Sequence, residues 1–155
     1  MGLDMYLVGK RYLSGFNEAD KKVAEAVGEM FSELKNIPGR FGTASPVKQI
    51  EVEVGYWRKA NAVHDWFVKN VQDGEDDCKS YYVSREKLEE LRSLCQRVLD
   101  DREQARELLP TTQGFFFGST EYDEWYFKDI ESTIRIVDSA LELPDSWDLE
   151  YHSSW

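Results

Sequence analysis

Apolar residues along the chain follow two spacings, one typical of strands and one typical of helices. Alternation with a period of two, or a short apolar run bounded by turn residues, predicts a strand. Such segments are found at residues 3–13, 49–54, 79–83, 114–117 and 145–155. The last segment, in which Trp147, Leu149 and Tyr151 alternate with polar residues, is typical of an edge strand.

Helical spacing follows each of the first four strand segments. Asn17 is predicted to cap a first helix that ends before residues 37–39, and Ser84 caps a long helix that Pro110 ends. A second helix is predicted over residues 59–71, and a last one from Thr120 to Pro144. The first helix has the apolar stripe Ala19, Val23, Ala26, Val27, Met30, Phe31 and Leu34.

Strand and helix alternate about four times, and several of the strands are short and amphipathic. Short amphipathic strands favour an antiparallel or mixed sheet that is covered by helices on one side. We therefore predict an α+β fold with a short mixed or antiparallel sheet and about four helices. A chain of 155 residues fits one domain, which we place at residues 1–155.

The net charge of −11 is distributed unevenly along the chain. Residues 1–72 hold ten Lys and Arg against nine Asp and Glu, whereas residues 73–155 hold nine against twenty-one. A field of that sign repels nucleic-acid phosphates, so we expect no direct contact with DNA or RNA. The simpler interpretation is that the acidic residues only keep the protein soluble.

Membrane, secretory and disulfide classes are not indicated. No stretch approaches the ~20 apolar residues that a membrane helix needs, and no signal peptide is recognisable at the N-terminus. Cys78 and Cys95 are too few for a disulfide framework, so we expect reduced thiols and a cytoplasmic protein. Cys95 lies on the apolar stripe of the third helix, and acidic neighbours disfavour the Cys78 thiolate.

Metal and cofactor motifs are also not recognised. The acidic run at residues 73–77 lacks the ligand alternation of a calcium-binding loop and the paired Cys or His of a zinc site. The sequence contains no phosphate-binding glycine loop of the nucleotide-binding families. We therefore expect no cofactor.

The junction of a strand and a helix at residues 54–64 is the strongest candidate site. Helical spacing predicts that Trp57, Asn61, His64 and Val68 share one face. Arg58 and Lys59 are expected in the first turn, where cations are unfavourable but where a helix can bind an anion. A ligand held there would be covered by Arg40, from the Gly- and Pro-rich loop at residues 36–46, and flanked by Tyr56. The alternative is purely structural: Trp57 lies in the core, the two cations pair with Glu51 or Glu53, and His64 is a buried histidine with satisfied hydrogen bonds.

A second candidate segment runs from Gly114 to Phe127. Gly114 to Phe117 is expected to form a buried strand, and Thr120 with Asp123 resembles a capping box at the start of the last helix. Tyr122, Trp125 and Tyr126 supply aromatic rings that stack on a base or on a partner, unless they serve the core.

Four segments of the sequence together resemble a family of small proteins carried by bacteriophages and bacteria. They are MGLDMYL at the N-terminus, VGYWRKAN at 54–61, GFFFGST at 114–120 and YDEWY at 122–126. The resemblance covers nearly the whole chain. It implies the setting of a phage accessory protein and carries over no functional residue.

Two functions follow as expectations. The first is a non-catalytic binder that antagonises a host process such as defence, through a host protein or a captured nucleotide-like ligand. Its site would consist of Arg40, Tyr56, Trp57, Arg58, Asn61, His64, Tyr122 and Tyr126. The second is a small enzyme on phosphorylated or nucleotide substrates, with His64 as general base, Arg58 as phosphate clamp and Asp123 as the orienting acid. The surroundings of His64 distinguish these hypotheses. Hydrogen-bond reach to Asp123 or another carboxylate inside a cleft favours the enzyme, whereas a buried His64 and a flat aromatic and acidic surface favour a protein-binding inhibitor.

Overall fold

A computed structural model describes residues 2–39 and 45–155, and its architecture is α+β, as predicted. The strands are β1 (Asp4–Tyr12), β2 (Gln49–Arg58), β3 (Tyr81–Tyr82) and β4 (Asp148–Ser154). The α-helices of the described residues are α1 (Glu18–Met30), α2 (Asn61–Asn70), α3 (Arg85–Asp100), α4 (Ala105–Leu108) and α5 (Glu124–Leu141). Short 3₁₀ turns cover Ser32–Leu34 and Arg102–Gln104.

The four strands form one antiparallel sheet in the order β2-β1-β4-β3. Strand β3 pairs with β4 so that Tyr81 lies opposite Tyr151. The C-terminal segment is therefore extended, as predicted, but the prediction of an edge strand is wrong, because β4 lies between two other strands. Alternation reports only that one face of a strand is buried, and an inner strand of an antiparallel sheet can alternate as well.

The chain divides into two compact units, one of residues 1–9 with 53–155 and one of residues 10–52. The larger unit contains the main hydrophobic core, in which α3 and α5 pack against each other. Fully buried members of this core include Leu3, Met5, Leu7, Phe67, Leu88, Leu91, Cys95, Ile130, Val137 and Tyr151. Cys95 is fully buried, which confirms the prediction of a core cysteine, and this burial raises the pKa of its thiol to about 12.

In the described part of the smaller unit, polar contacts define the start of α1. Asn17 caps α1, as predicted, by accepting hydrogen bonds from the backbone N–H groups of Ala19 and Asp20. The Asp20 carboxylate accepts a hydrogen bond of 2.7 Å from Arg11, which lowers the pKa of Asp20. The buried side of α1 is at Ala24, whereas Met30 of the predicted apolar stripe is 77% exposed. The helix prediction is confirmed, but the prediction of its buried face is wrong.

Two further boundaries differ from the sequence prediction. The long third helix is interrupted at Asp101, whose extended backbone ends α3 and whose side chain caps the following 3₁₀ turn. The run Gly114 to Phe117 is a turn rather than a buried strand, with a 3.1 Å hydrogen bond from Phe117 N–H to Gly114 O. Phe115 is 94% exposed at the tip of this turn. The two glycines that flank the aromatic run favour a turn, and they outweigh the strand propensity of phenylalanine.

No α-helix in the described part of the chain has the length and apolar character that crossing a bilayer requires.

Gly55 of β2 packs tightly against Ile136 of α5. A Cβ atom at this position would lie 2.1 Å from Cγ2 of Ile136, well inside van der Waals contact. We expect Gly55→Ala to lower the free energy of unfolding by about 2 kcal/mol, because the packed helix must move to accept the methyl group. Urea unfolding measures the change. Glu53→Ala, at an exposed position of the same strand, serves as the control with an expected change below about 0.5 kcal/mol. Equal stability of the two variants would contradict the close packing.

A pocket between strand β2, helix α2 and helix α5

Strand β2 continues through Arg58, four residues beyond the predicted end of the strand, and turns directly into α2. Lys59 occupies the left-handed region, with φ of 60°, and Ala60 has φ of −75° and ψ of 68°. The backbone N–H of Asn61 bonds to the carbonyl of Lys59 at 2.8 Å, which makes an inverse γ-turn. The prediction that Arg58 and Lys59 lie in the first helical turn is therefore wrong, and Trp57 does not share a helical face with Asn61 and His64.

Two left-handed corners of the backbone lie against each other at this junction. Besides Lys59, Gly118 has a positive φ of 84°, and a Cβ atom there would lie 3.2 Å from the Cβ of Lys59. The backbone N–H of Lys59 donates to the carbonyl of Leu3 at 2.8 Å, which fixes the first corner to the start of the chain. A lysine with positive φ is strained, and such strain persists only where the surrounding structure enforces it.

Asn61 holds the second corner in place. Its side-chain amide donates to the carbonyls of Phe117, at 3.1 Å, and Ser119, at 2.8 Å. Its side-chain oxygen accepts a hydrogen bond of 3.1 Å from the backbone N–H of Thr112. The residue is 4% exposed, so these three bonds fasten residues 112–119 to the beginning of α2.

A pocket of about 210 Å³ lies between these elements and the start of α5. Its lining comprises Arg58, Lys59, Ala60, Asn61, Ala62, Val63, Thr111, Gly118, Ser119, Glu121, Asp123, Trp125, Tyr126, Asp129 and Ile130. Among the residues predicted for the site, Arg58, Asn61 and Tyr126 line this pocket. Tyr56, Trp57, His64 and Tyr122 do not.

Charged groups of both signs meet in the pocket. The guanidinium of Arg58 lies 3.4 Å from the carboxylate of Asp4, so it pairs with β1 rather than with Glu51 or Glu53. Tyr56 donates its hydroxyl to the same Asp4 carboxylate, and this bond raises the pKa of Tyr56. Asp123 caps α5, in place of the predicted Thr120, by accepting from the N–H groups of Trp125 and Tyr126.

Asp129 is the carboxyl group with the most perturbed environment in the pocket. Burial, followed by the charge of Asp123, raises the pKa of Asp129 to about 6. Perturbed carboxyl groups in clefts are frequent at functional sites. The sequence prediction missed this residue. The signal in the sequence was an acidic residue with Trp125 four positions before it and Thr133 four positions after it on the same helix.

Three of the predicted aromatic residues, one of which lines the pocket, form hydrogen bonds with neighbouring segments. Trp57 is 3% exposed, and its indole N–H donates to Thr133 Oγ1 at 2.9 Å. Tyr122 accepts a hydrogen bond from the backbone N–H of Thr111 at 3.2 Å, and Tyr126 donates to the carbonyl of Leu109 at 2.8 Å. Arg40, the remaining predicted site residue, lies outside the described residues.

His64 lies in the interior, with both ring nitrogens engaged. Nδ1 is 2.7 Å from the hydroxyl of Tyr151, and Nε2 is 2.9 Å from Oδ2 of Asp76. Burial raises the pKa of Tyr151 well above its usual range, so its hydroxyl keeps the proton. In the tautomer that carries the ring proton on Nε2, this nitrogen donates to the Asp76 carboxylate and Nδ1 accepts from the Tyr151 hydroxyl. His64 is 1% exposed, and its ring meets Phe117 edge-on, with ring centroids 5.0 Å apart.

Trp155 extends this network to the second oxygen of Asp76. Its indole N–H donates to Oδ1 of Asp76 at 3.1 Å, and its ring lies edge-on to Phe117. One carboxylate thus connects α2, the loop after it and the end of β4.

In the described residues, no three His, Cys, Asp or Glu side chains are arranged to hold a metal ion. Neither protein-family models nor curated proteins nor solved structures give a match to this chain.

Tyr151→Phe tests the buried histidine network. The substitution removes the hydroxyl that donates to His64 Nδ1, and we expect the free energy of unfolding to fall by about 1–2 kcal/mol in urea titrations. Tyr82→Phe, at the neighbouring position of β3 and 64% exposed, is the matched control and should change stability little. The hydrogen-bonded network would be refuted by equal stabilities of the two variants.

Asp129→Asn tests the cost of the half-buried carboxylate. Because the folded-state pKa is raised, this group favours the folded state below pH 4 and loses that contribution as the pH rises through about 6. We therefore expect Asp129→Asn to exceed the wild type in stability by about 1 kcal/mol at pH 7.5 and by much less at pH 4. Thermal unfolding across this pH range measures the difference. Glu131→Gln, an exposed change of equal charge on the same helix, should show no such pH dependence.

Proposed function

We propose that this chain is a non-catalytic binding protein whose pocket between β2, α2 and α5 captures a small ligand or one side chain of a partner protein. The observation that carries the proposal is the construction of the pocket wall. Asn61 uses its amide group and its carbonyl oxygen to hold residues 112–119, and a strained corner at Lys59 is fixed to Leu3. A wall fixed in advance lowers the entropic cost of binding.

The size of the pocket limits what it can hold. Pockets for drug-sized ligands occupy roughly 300–1,000 Å³, and this one measures about 210 Å³. That volume suits a single functional group with a short chain, a part of a larger nucleotide-like ligand, or a protruding side chain of a host protein.

Exposed aromatic rings near the pocket favour a protein partner. Trp125, which lines the pocket, is 72% exposed, and Phe115, three residues before Gly118, is 94% exposed. Large aromatic side chains contribute much of the binding energy at protein interfaces.

The position of His64 favours binding over catalysis. The imidazole does have a carboxylate as a hydrogen-bond partner, as the enzyme hypothesis requires, but that partner is Asp76 rather than Asp123. Its other nitrogen is bonded to Tyr151, and the ring does not line the pocket. A general base needs a nitrogen within reach of the substrate proton, and neither nitrogen of His64 is free in this arrangement.

The resemblance to phage-carried proteins supplies the biological part of the proposal. On that basis the binder acts in the cytoplasm of a host cell and antagonises a host protein or sequesters a small signalling molecule.

Ser119→Trp tests whether the pocket is the recognition site. Ser119 is exposed and lines the pocket, so an indole group there should fill it without disturbing the core. Nucleotide, amino-acid and amine probes are screened by ¹H–¹⁵N correlation spectra of both proteins. We expect at least one class of probe to shift resonances of pocket residues in the wild type and not in Ser119→Trp. Gln113→Trp adds the same bulk to an exposed position of the same loop outside the lining, and it should preserve the response.

Two results would count against this proposal. One is the absence of any probe-dependent shift at pocket residues in the wild type at millimolar concentrations. The other is a response that Ser119→Trp retains in full.

A further inference from the structure

The pocket carries more negative than positive groups. Three carboxylates line it, from Glu121, Asp123 and Asp129, against the two cations of Arg58 and Lys59. The Arg58 guanidinium already has a carboxylate partner outside the lining, Asp4. The electrostatic balance therefore opposes a phosphate group, which would place further negative charge beside the three acids.

Asp129 and Asp123 differ in the hydrogen bonds that the described residues offer them. The Asp123 carboxylate accepts from two backbone N–H groups at 3.0 and 3.1 Å. No donor among the described residues reaches the Asp129 carboxylate, and burial, followed by the charge of Asp123, raises its pKa. A half-buried carboxylate without a donor is unfavourable, so a cationic donor that entered the pocket would relieve that cost.

The aromatic wall of the pocket is compatible with a cation. The ammonium group of Lys128 lies 4.6 Å from the ring centroid of Trp125, so this exposed indole already interacts with one positive charge. Tryptophan faces attract ammonium and guanidinium groups more strongly than other aromatic rings do.

We propose that the pocket binds a guanidinium or ammonium group on a short alkyl chain, with the Asp129 carboxylate as its hydrogen-bond acceptor. This inference rests on the proposed binding function and names the chemistry of its ligand. The group would come either from a free small amine or from an arginine residue of a partner protein, and both sources present the same atoms to Asp129.

Four probes separate the chemistry and its source: agmatine, the blocked peptide acetyl-Gly-Arg-Gly-amide, butyrate and AMP. Each is titrated at pH 7.5 into ¹⁵N-labelled protein, and shifts at Gly118, Trp125 and Asp129 are followed. We expect agmatine and the peptide to bind and butyrate and AMP not to. Tighter binding of agmatine indicates a free amine as the natural ligand, and tighter binding of the peptide indicates a partner's arginine.

Asp129→Asn should weaken the binding of the cationic probes about tenfold or more, because it removes the charged acceptor. Glu131→Gln alters the net charge equally at an exposed position two residues away, and it should retain wild-type affinity. Thermal unfolding at the same pH establishes that the asparagine variant is folded, so a loss of affinity has its origin in the pocket.

The inference is overturned if butyrate or AMP shifts these resonances while the cations do not, a result that leaves the pocket a binding site of different chemistry. It is also overturned if the cations bind equally well to Asp129→Asn. If none of the four probes binds, this ligand chemistry is wrong, and the wider screen with Ser119→Trp decides separately on the binding function.

Discussion

The buried imidazole of His64 constrains the arrangement of the elements around it. A polar ring in the interior is costly unless both nitrogens are bonded, and here the two bonds go to Tyr151 of β4 and to Asp76 after α2. Each partner comes from a different segment, so the ring is satisfied only when α2, the loop and the strand are all in place. Phe67, one turn further along α2, stacks on Tyr151 with ring centroids 3.9 Å apart. This apolar contact joins the same helix and strand as the hydrogen bond between His64 and Tyr151 does.

The pocket shares elements with that arrangement. Helix α2 begins at Asn61, one turn before His64, and Asn61 binds the loop whose Phe117 ring touches the imidazole. The polar network and the pocket wall therefore share α2 and one loop. This sharing explains how a wall without regular secondary structure can hold a fixed shape: its backbone carbonyls are used by a side chain that the core keeps in position.

Sequence patterns located the fold class and the junction, because both depend on local spacing. Alternation and helical periodicity identified β1, β2 and the major helices, and the predicted junction at residues 54–64 placed the candidate site near the start of α2. The patterns failed where the answer depends on distant contacts. Nothing local distinguishes a histidine that bonds Tyr151, 87 positions away, from one that faces a cleft. The left-handed Lys59 also escapes prediction, because only the approach of Gly118 and the bond to Leu3 enforce it.

Under the proposed binding function, Asp129 rather than His64 is the group that would contact the ligand. Stability alone favours side chains whose polar atoms are paired, and the histidine meets that condition fully. Asp129 does not, since burial opposes its ionisation and no donor among the described residues compensates. Carboxyl groups with such perturbed environments are frequent at functional sites. Under the proposed binding function, the recognition chemistry of the pocket therefore lies on α5, whereas the β2–α2 junction supplies its wall.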